Sequence, residues 1–226
     1  ILNQPNTEII QFSINTHSTH NRYSYVALGE SEENLSMRIK IRRRITKILE
    51  PILESLNRDV YLETCIVLAF EIAEACVSLQ MMKETQLKRT NSAKPDSIAR
   101  ARKYAQDAAK YFEVFCELVE KEGRGEINED RVVSYVRAKL HGARMIMKTS
   151  LGFKDIREKL QSVREACKKL RALRDFAETH ILEGSEIFES VKEEMRLCHE
   201  SLNVHTLFLK IQRTMPVLNY DSANIQ

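Results

Sequence analysis

The sequence of 226 residues contains few of the residues that interrupt helices. Its six glycines and four prolines are sparse for this length, whereas Leu, Ile, Ala and the long charged residues dominate. This composition favours α-helices, and no segment shows the alternating, β-branched pattern of a strand. The sequence therefore predicts an all-α protein.

Long apolar runs are also missing. No stretch approaches the roughly 18 or more uninterrupted apolar residues of a membrane span, so we expect no membrane span. The formal net charge of +3 is too small to indicate nucleic acid by itself. The chain begins without a basic leader, a cleavage site or an initiator Met, which favours a segment of a longer protein.

Cysteines are few, odd in number and widely spaced. All five lie among apolar residues: Cys65, Cys76, Cys116, Cys167 and Cys198. Cysteine is among the residue types most often buried as a free thiol, and disulfides are rare inside cells. We therefore predict five free, buried thiols in a reducing compartment, rather than disulfides or metal ligands.

Motifs that carry catalysis are absent as well. The sequence has no glycine-rich phosphate loop and no H-E-x-x-H motif, and its carboxylates mostly have Lys or Arg three or four residues away, as on a solvated helix surface. The pair His17 and His20 lacks a second ligand pair. Cys198, His199 and His205 are possible metal ligands by residue type, but positions 198 and 199 point about 100° apart on a helix. We expect no enzyme, no cofactor, no metal and no small-molecule substrate.

Helical periodicity divides the chain into three parts. Residues 1–30 are polar and aperiodic and predict an arm or loop, residues 31–215 predict about six helices, and residues 216–226 predict a flexible tail. In the first helix one apolar stripe is predicted to face the core, and Pro51 to kink the helix. The stripe consists of Ile41, Ile45, Ile48, Ile52 and Leu56.

The other five helices are separated by short polar turns. Asp59 is a predicted N-cap for the second helix. The predicted spans are about 60–89, 96–121, 130–148, 154–182 and 186–212. The second is apolar nearly all round, so we expect neighbours on both sides of it.

An internal repeat favours a solenoid over a closed bundle. The second and fourth helices carry similar residues at matching positions, although any two amphipathic helices can match in this way. The pairs are Ile66 with Val136, Phe70 with Leu140, Ala73 with Ala143 and Val77 with Met147. The third and fifth helices give a second set: Ala105 with Val163, Ala108 with Ala166, Phe112 with Leu170 and Phe115 with Leu173. The helices are longer than those of a 34-residue tetratricopeptide repeat.

Three segments in register point to a known family. The segments "RRRITKILEPILESLN", "FEIAEA" and "RAKLHGARMI" resemble the C-terminal half of the KIF-binding protein (kinesin-binding protein) family. The first block falls on Arg43, Arg44, Ile45, Leu49, Glu50, Pro51 and Ile52. The second falls on Phe70, Glu71, Ile72 and Ala73. The third falls on Ala138, Lys139, Leu140, Ala143 and Arg144, with Leu140 in place of the family's Phe.

The resemblance covers about residues 31–215 and implies both a fold and a function. The fold is a right-handed solenoid of extended, tetratricopeptide-like antiparallel helix pairs. The function is that of a non-enzymatic, cytoplasmic and cytoskeleton-associated protein that binds kinesin motor domains and inhibits their attachment to microtubules. A generic tetratricopeptide scaffold that binds a peptide or helical segment of another protein is the alternative.

Candidate partner-binding residues follow from the charge of the expected partner. The microtubule-binding surface of kinesins is basic, so acidic and polar groups on the second and fourth helices would complement it. The candidates are Glu63, Glu71, Glu74, Lys139, His141 and Arg144.

The arginine run 42–44 leaves three interpretations open. Arg42, Arg43 and Arg44 form a solvated helix face, contact a partner or acidic neighbour, or bind nucleic acid. No nucleic-acid motif accompanies them, so we expect the first and no nucleic-acid partner.

Overall fold

The computed structural model describes residues 32–90, 95–149 and 155–214. The predicted arm 1–30, the predicted tail 216–226 and the pair His17 and His20 lie outside these residues. Within them the chain is helical, as predicted from its composition. The helices are α1 Glu32–Ser55, α2 Leu62–Thr90, α3 Pro95–Glu122, α4 Val132–Thr149, α5 Ile156–His180 and α6 Glu186–Thr214, with a short 3-10 turn Glu129–Arg131 before α4.

The helix ends follow local chemistry. Pro95 is the first residue of α3, where its missing N–H costs nothing. Asp155 caps α5 by accepting a hydrogen bond from the backbone N–H of Arg157 at 2.8 Å. The predicted cap of α2 is wrong, because that helix begins at Leu62 and the Asp59 carboxylate instead pairs with Lys121.

The predicted core stripe of α1 is only partly correct. Ile45, Ile52 and Leu56 pack against the core, but Ile41 is 53% exposed and Ile48 is 42% exposed. The fully buried stripe lies on another face of the helix and consists of Leu35, Ile39, Thr46, Leu49 and Leu53. An apolar count misses this stripe because it includes Thr46. That hydroxyl donates to the Arg43 carbonyl at 3.0 Å and can therefore be buried.

The matched residues of the internal repeat lie on the core faces of their helices. Ala73 and Ala143 are buried in equivalent places on α2 and α4, and the same holds for Ala108 and Ala166 on α3 and α5. The described residues form two large apolar clusters and a small third one of Leu35, Ile39, Leu79 and Met82. The first is formed mainly by α1, α2 and α3, and the second by α4, α5 and α6, with Tyr135 packed against both.

Ion pairs connect alternate helices and define two layers. Lys148 of α4 donates to Glu84 of α2 at 2.7 Å, and Arg144 of α4 pairs with Glu194 of α6. In the other layer Lys169 of α5 donates to Glu113 of α3 at 2.8 Å. Each helix therefore packs on the next along the chain and also approaches the one after it, which is the arrangement of a helical repeat array.

The prediction for the cysteines is wrong in part. Cys167 of α5 and Cys198 of α6 form a disulfide with their Cα atoms 5.9 Å apart, whereas Cys65, Cys76 and Cys116 are free and buried. The antiparallel packing of α5 on α6 brings together two residues that are 31 positions apart in sequence. Spacing alone gives no sign of that contact.

One helix among the described residues, α2, is long and apolar enough to cross a membrane by length and composition. Within Leu62–Arg89 an 18-residue window has a mean hydropathy of 1.7, and 72% of that window is buried inside the array. A central helix with neighbours on both sides needs the same composition. The position of α2 inside the array therefore explains its apolar composition.

Candidate protein-binding surface

Two of the predicted acidic residues lie within the array. Glu74 of α2 is 8% exposed, and burial raises its pKa to about 7, opposed by Arg137 of α4. Glu71 is half-buried, and burial raises its pKa to about 7 as well, opposed by Arg42 of α1. Both carboxyl groups face cations on neighbouring helices. They therefore contribute to the packing of one helix on the next.

The predicted polar residues of α4 also contact neighbouring helices. The His141 ring stacks on Phe112 of α3 with 5.7 Å between ring centroids. Burial, together with Arg144 and Arg137, lowers the pKa of His141 to about 4, so the ring is neutral at physiological pH. The Arg144 guanidinium donates to Glu194 of α6.

Lys139 lies on another face of α4. Its ammonium is 3.4 Å from Glu120 and 3.7 Å from Glu113, both on α3. Tyr135 donates its hydroxyl hydrogen to Glu120 at 2.6 Å. Sequence reasoning did not find this network, because its members come from separate helices.

Of the four predicted site residues that remain, three are exposed: Glu63, Arg43 and Arg44. Glu63 pairs with Arg131 just before α4, and Arg42 is half-buried beside Glu71. Arg43 and Arg44 are exposed on α1.

The family-motif residues are mostly part of the core. Phe70 packs against Phe115, with 5.0 Å between ring centroids. Pro51 is exposed within α1, Glu50 is half-buried, and Ile45 packs against the core. The fully buried ones are Leu49, Ala73, Ala138, Leu140 and Ala143.

An acidic cluster missed in the sequence spans α1 and α3. Glu50, Glu54 and Asp107 lie close enough that the charges of Asp107 and Glu54 add to burial in raising the pKa of Glu50. Lys110 and the Tyr111 hydroxyl oppose that rise. The four-residue spacing of Glu50 and Glu54 signals a shared helix face, but the approach of Asp107 depends on how α3 packs.

A shallow cavity of about 210 Å³ lies over α4, between α3 and α5. We call it the central groove. Its lining contains the small residues Ala138, Gly142 and Ala143 and the charged residues Glu113, Lys139, Glu165 and Lys169. Both lysines pair with Glu113, and the remaining wall is largely apolar, so the groove favours a small apolar side chain.

Cys198, His199 and His205 do not converge on a metal site. Cys198 is bonded to Cys167, the Nε2 atom of His199 is 3.3 Å from Arg171, and the Nδ1 atom of His205 is 2.6 Å from the Ser201 carbonyl oxygen. Across the described ranges no group of three or more His, Cys, Asp or Glu side chains is arranged to hold a metal ion.

The fold and these surfaces define a helical repeat protein. Comparison with known families identifies which kind: residues 16–213 match the family model "KIF-1 binding protein C terminal", and the chain belongs to that family. KIF-binding protein from Gallus gallus is 27% identical over 183 residues, which cover 80% of this chain and 30% of the relative. The Xenopus tropicalis KIF-binding protein is 24% identical over 172 residues, covering 75% of this chain and 27% of the relative.

The chain therefore spans about 30% of the length of the curated relatives it matches. Among solved structures, a de novo designed helical repeat protein aligns with 89% of this chain and 92% of its own, at 17% identity and a TM-score of 0.42.

Proposed function

We propose that this protein binds kinesin motor domains and inhibits their attachment to microtubules. Family membership over residues 16–213 is the observation that carries the proposal, and the relatives from chicken and frog bear the name KIF-binding protein. By this proposal the protein acts without catalysis, and it is located in the cytoplasm and on the cytoskeleton with the motors.

The acidic cluster of Glu50, Glu54 and Asp107 supplies charge complementarity for such a partner. A net charge of +3 does not favour a basic partner, but the local field at a surface is set by the nearby groups. The three carboxyl groups on α1 and α3 outnumber the two lysines beside them, Lys103 and Lys110. This surface would therefore attract and orient a basic motor surface.

Competition is the simplest mechanism. Tubulin and the acidic cluster would both attract the basic microtubule-binding surface of the motor, so that a motor held on the array could not reach its track. The array needs no catalytic group for this, only a stable surface of the right charge and shape.

A co-sedimentation experiment tests the function. A panel of kinesin motor domains is mixed with microtubules, and increasing amounts of the protein are added. We expect at least one motor to move from the pellet to the supernatant in a complex with the protein. If every motor stays on the microtubules at saturating protein, with no complex in solution, the proposal is wrong.

A charge-matched pair of variants tests the surface. The triple change Glu50→Gln, Glu54→Gln and Asp107→Asn should weaken motor binding by about 10-fold or more and reduce its dependence on salt. The control removes three exposed carboxyl groups elsewhere: Glu117→Gln, Glu129→Gln and Glu158→Gln. Equal binding by both variants would show that the acidic cluster is not part of the motor-binding surface. The proposal that the protein binds motors would be unaffected.

A further inference from the structure

Three cations from three helices lie beside the small third apolar cluster. That cluster joins α1 to α2, and Tyr104 of α3 packs against it. Residues four apart lie on the same face of a helix. Each cation is four residues from a side chain in this contact: Arg43 from Ile39, Lys83 from Leu79 and Arg100 from Tyr104. We call the three cations the basic cluster.

The charges of the basic cluster are close enough to act on one another. Lys83 is half-buried, and burial lowers the pKa of its ammonium group, with the charges of Arg100 and Arg43 lowering it further. The same two arginines oppose the raised pKa of the Tyr104 phenol. Lys83 and Tyr104 therefore both lie within range of the two guanidinium charges.

The basic cluster has donors to spare. In the described part of the array none of its three members forms an ion pair. Lys83 donates to the Gln86 Oε1 atom at 2.7 Å, and its ammonium group has two further hydrogens. The side chains of Arg43 and Arg100 are exposed. The cluster is therefore an accessible excess of positive charge.

The carboxyl group that acts on Tyr104 does not balance this excess. It belongs to Asp107, three residues further along α3. The charges of Lys103 and Lys110 already oppose the raised pKa of Asp107. An anion from outside the array is therefore the complement that the basic cluster lacks.

The charge and geometry of the cluster favour a phosphate group. A phosphate monoester carries about −1.5 to −2 charges at pH 7 and has three acceptor oxygens, whereas a carboxylate carries one charge on two oxygens. The planar guanidinium group of arginine binds two phosphate oxygens at once. Because both arginines are open to solvent, a free phosphate ion would keep much of its hydration. A phosphate carried on a polypeptide also gains the contacts of that chain.

We propose that the basic cluster binds the phosphate group of a phosphorylated serine or threonine of a partner polypeptide. Arg43 and Arg100 donate to the phosphate oxygens from α1 and α3, and the Lys83 ammonium group donates from α2. Charges that repel one another in the free protein are then neutralised together. The inference does not depend on motor binding.

Peptides that differ at one position test the chemistry. The probes are acetyl-Ala-Ala-X-Ala-Ala-amide, with phosphoserine, serine or glutamate at X, titrated into the isotopically labelled protein and followed by NMR. We expect the phosphoserine peptide to bind at least about 10-fold tighter than the other two, because it makes more charge-assisted hydrogen bonds. The side-chain signals of Arg43 and Arg100 should shift on binding. Equal affinity for the three peptides would overturn the proposal.

A matched pair of double variants tests the residues. Arg43→Gln with Arg100→Gln should weaken binding of the phosphoserine peptide by about 10-fold or more. The pKa of Lys83 should rise, because both repelling charges are removed, and the melting temperature should stay the same or rise. The control, Arg44→Gln with Arg164→Gln, removes an exposed arginine next to Arg43 and another on α5, and should change none of these quantities.

Equal weakening by the two double variants would mean that the peptide responds only to the overall positive charge, and would overturn the proposal. An unchanged pKa of Lys83 in the first variant would overturn it as well, because the three charges would then not lie together.

Three further measurements separate the possible sources of a phosphate group. Inorganic phosphate that displaces the phosphoserine peptide at equal concentration would mean that a free ion is the ligand. Flotation with vesicles of phosphatidylcholine and phosphatidic acid, lost in the Arg43→Gln, Arg100→Gln variant, would indicate a membrane surface. Binding of duplex DNA at physiological salt, lost in the same variant, would indicate nucleic acid. We expect none of the three, and each of them would overturn the proposal.

Discussion

At the scale of single residues, burial decides the charge state of several ionisable groups in the array. Glu74 and Glu71 of α2 both have a pKa near 7, and His141 of α4 has a pKa near 4. In each case desolvation is the main cause, because the charged form loses water that the neighbouring helices replace only in part. These three groups therefore make the stability of the array depend on pH between about 4 and 7.

Glu74→Gln should change that pH dependence. The folded-state pKa of about 7 lies above the ordinary 4.5, so the stabilising effect of the proton is complete below pH 4.5 and is lost as pH rises to 7. His141 acts in the opposite direction, since its folded pKa lies below 6.5. The difference between the two proteins isolates Glu74. From pH 5 to pH 7 the wild type should lose about 1–3 kcal/mol relative to the variant in urea unfolding. A constant difference across this range would contradict the prediction.

The three consecutive arginines should differ in their effects. Arg43 and Arg44 are exposed, so changing both to Gln should leave the melting temperature within a few degrees. Arg42 is half-buried and its charge opposes the raised pKa of Glu71, so Arg42→Gln should raise that pKa further. Calorimetry measures the melting temperature, and an NMR titration of the Glu71 carboxyl group measures its pKa.

Tight binding of non-specific duplex DNA at physiological salt, lost when Arg43 and Arg44 are both changed to Gln, would instead indicate a nucleic-acid surface.

At the scale of the elements, the α3–α4 turn depends on a glycine. A Cβ atom on Gly123 would lie 1.9 Å from the carbonyl oxygen of Glu126, which is closer than atoms can approach. Gly142 is a useful comparison, because a Cβ atom there would lie 3.7 Å from the Phe112 Cβ, an ordinary contact distance.

Gly123→Ala should therefore destabilise the fold by about 1–3 kcal/mol, since the backbone of the turn has to shift. Gly142→Ala should be neutral or stabilise by up to about 1 kcal/mol, because alanine favours the interior of a helix. Urea unfolding of the two variants checks both signs. Equal effects would show that the turn can relax around a methyl group.

The existence and order of the six helices could be predicted from the sequence, because 3.6-residue periodicity and polar turns are local signals. Contacts between the helices could not be predicted from the sequence. The disulfide of Cys167 and Cys198 joins residues 31 positions apart, and the acidic cluster needs Asp107 of α3 beside Glu50 of α1. The basic cluster likewise depends on how α1, α2 and α3 pack together. None of these follows from periodicity.

At the scale of the whole molecule, the described part of the array has two large apolar clusters in series. One contains Ala73 and lies mainly between α1, α2 and α3, and the other contains Ala166 and lies between α4, α5 and α6. Tyr135 packs against both clusters. In a repeat array each unit contacts mainly its neighbours, so stability is close to a sum of local terms. Damage to one cluster should therefore affect that cluster first.

Ala73→Leu and Ala166→Leu test this arrangement as a matched pair. Both alanines are fully buried, and three extra carbons at a close helix contact should cost about 1–3 kcal/mol in either cluster. Hydrogen exchange should then accelerate mainly in α1–α3 for Ala73→Leu and mainly in α5 and α6 for Ala166→Leu. Uniform acceleration along the whole chain in both variants would show that the array unfolds as a single cooperative unit. A change below about 0.5 kcal/mol for Ala73→Leu would show that α2 has room at this contact.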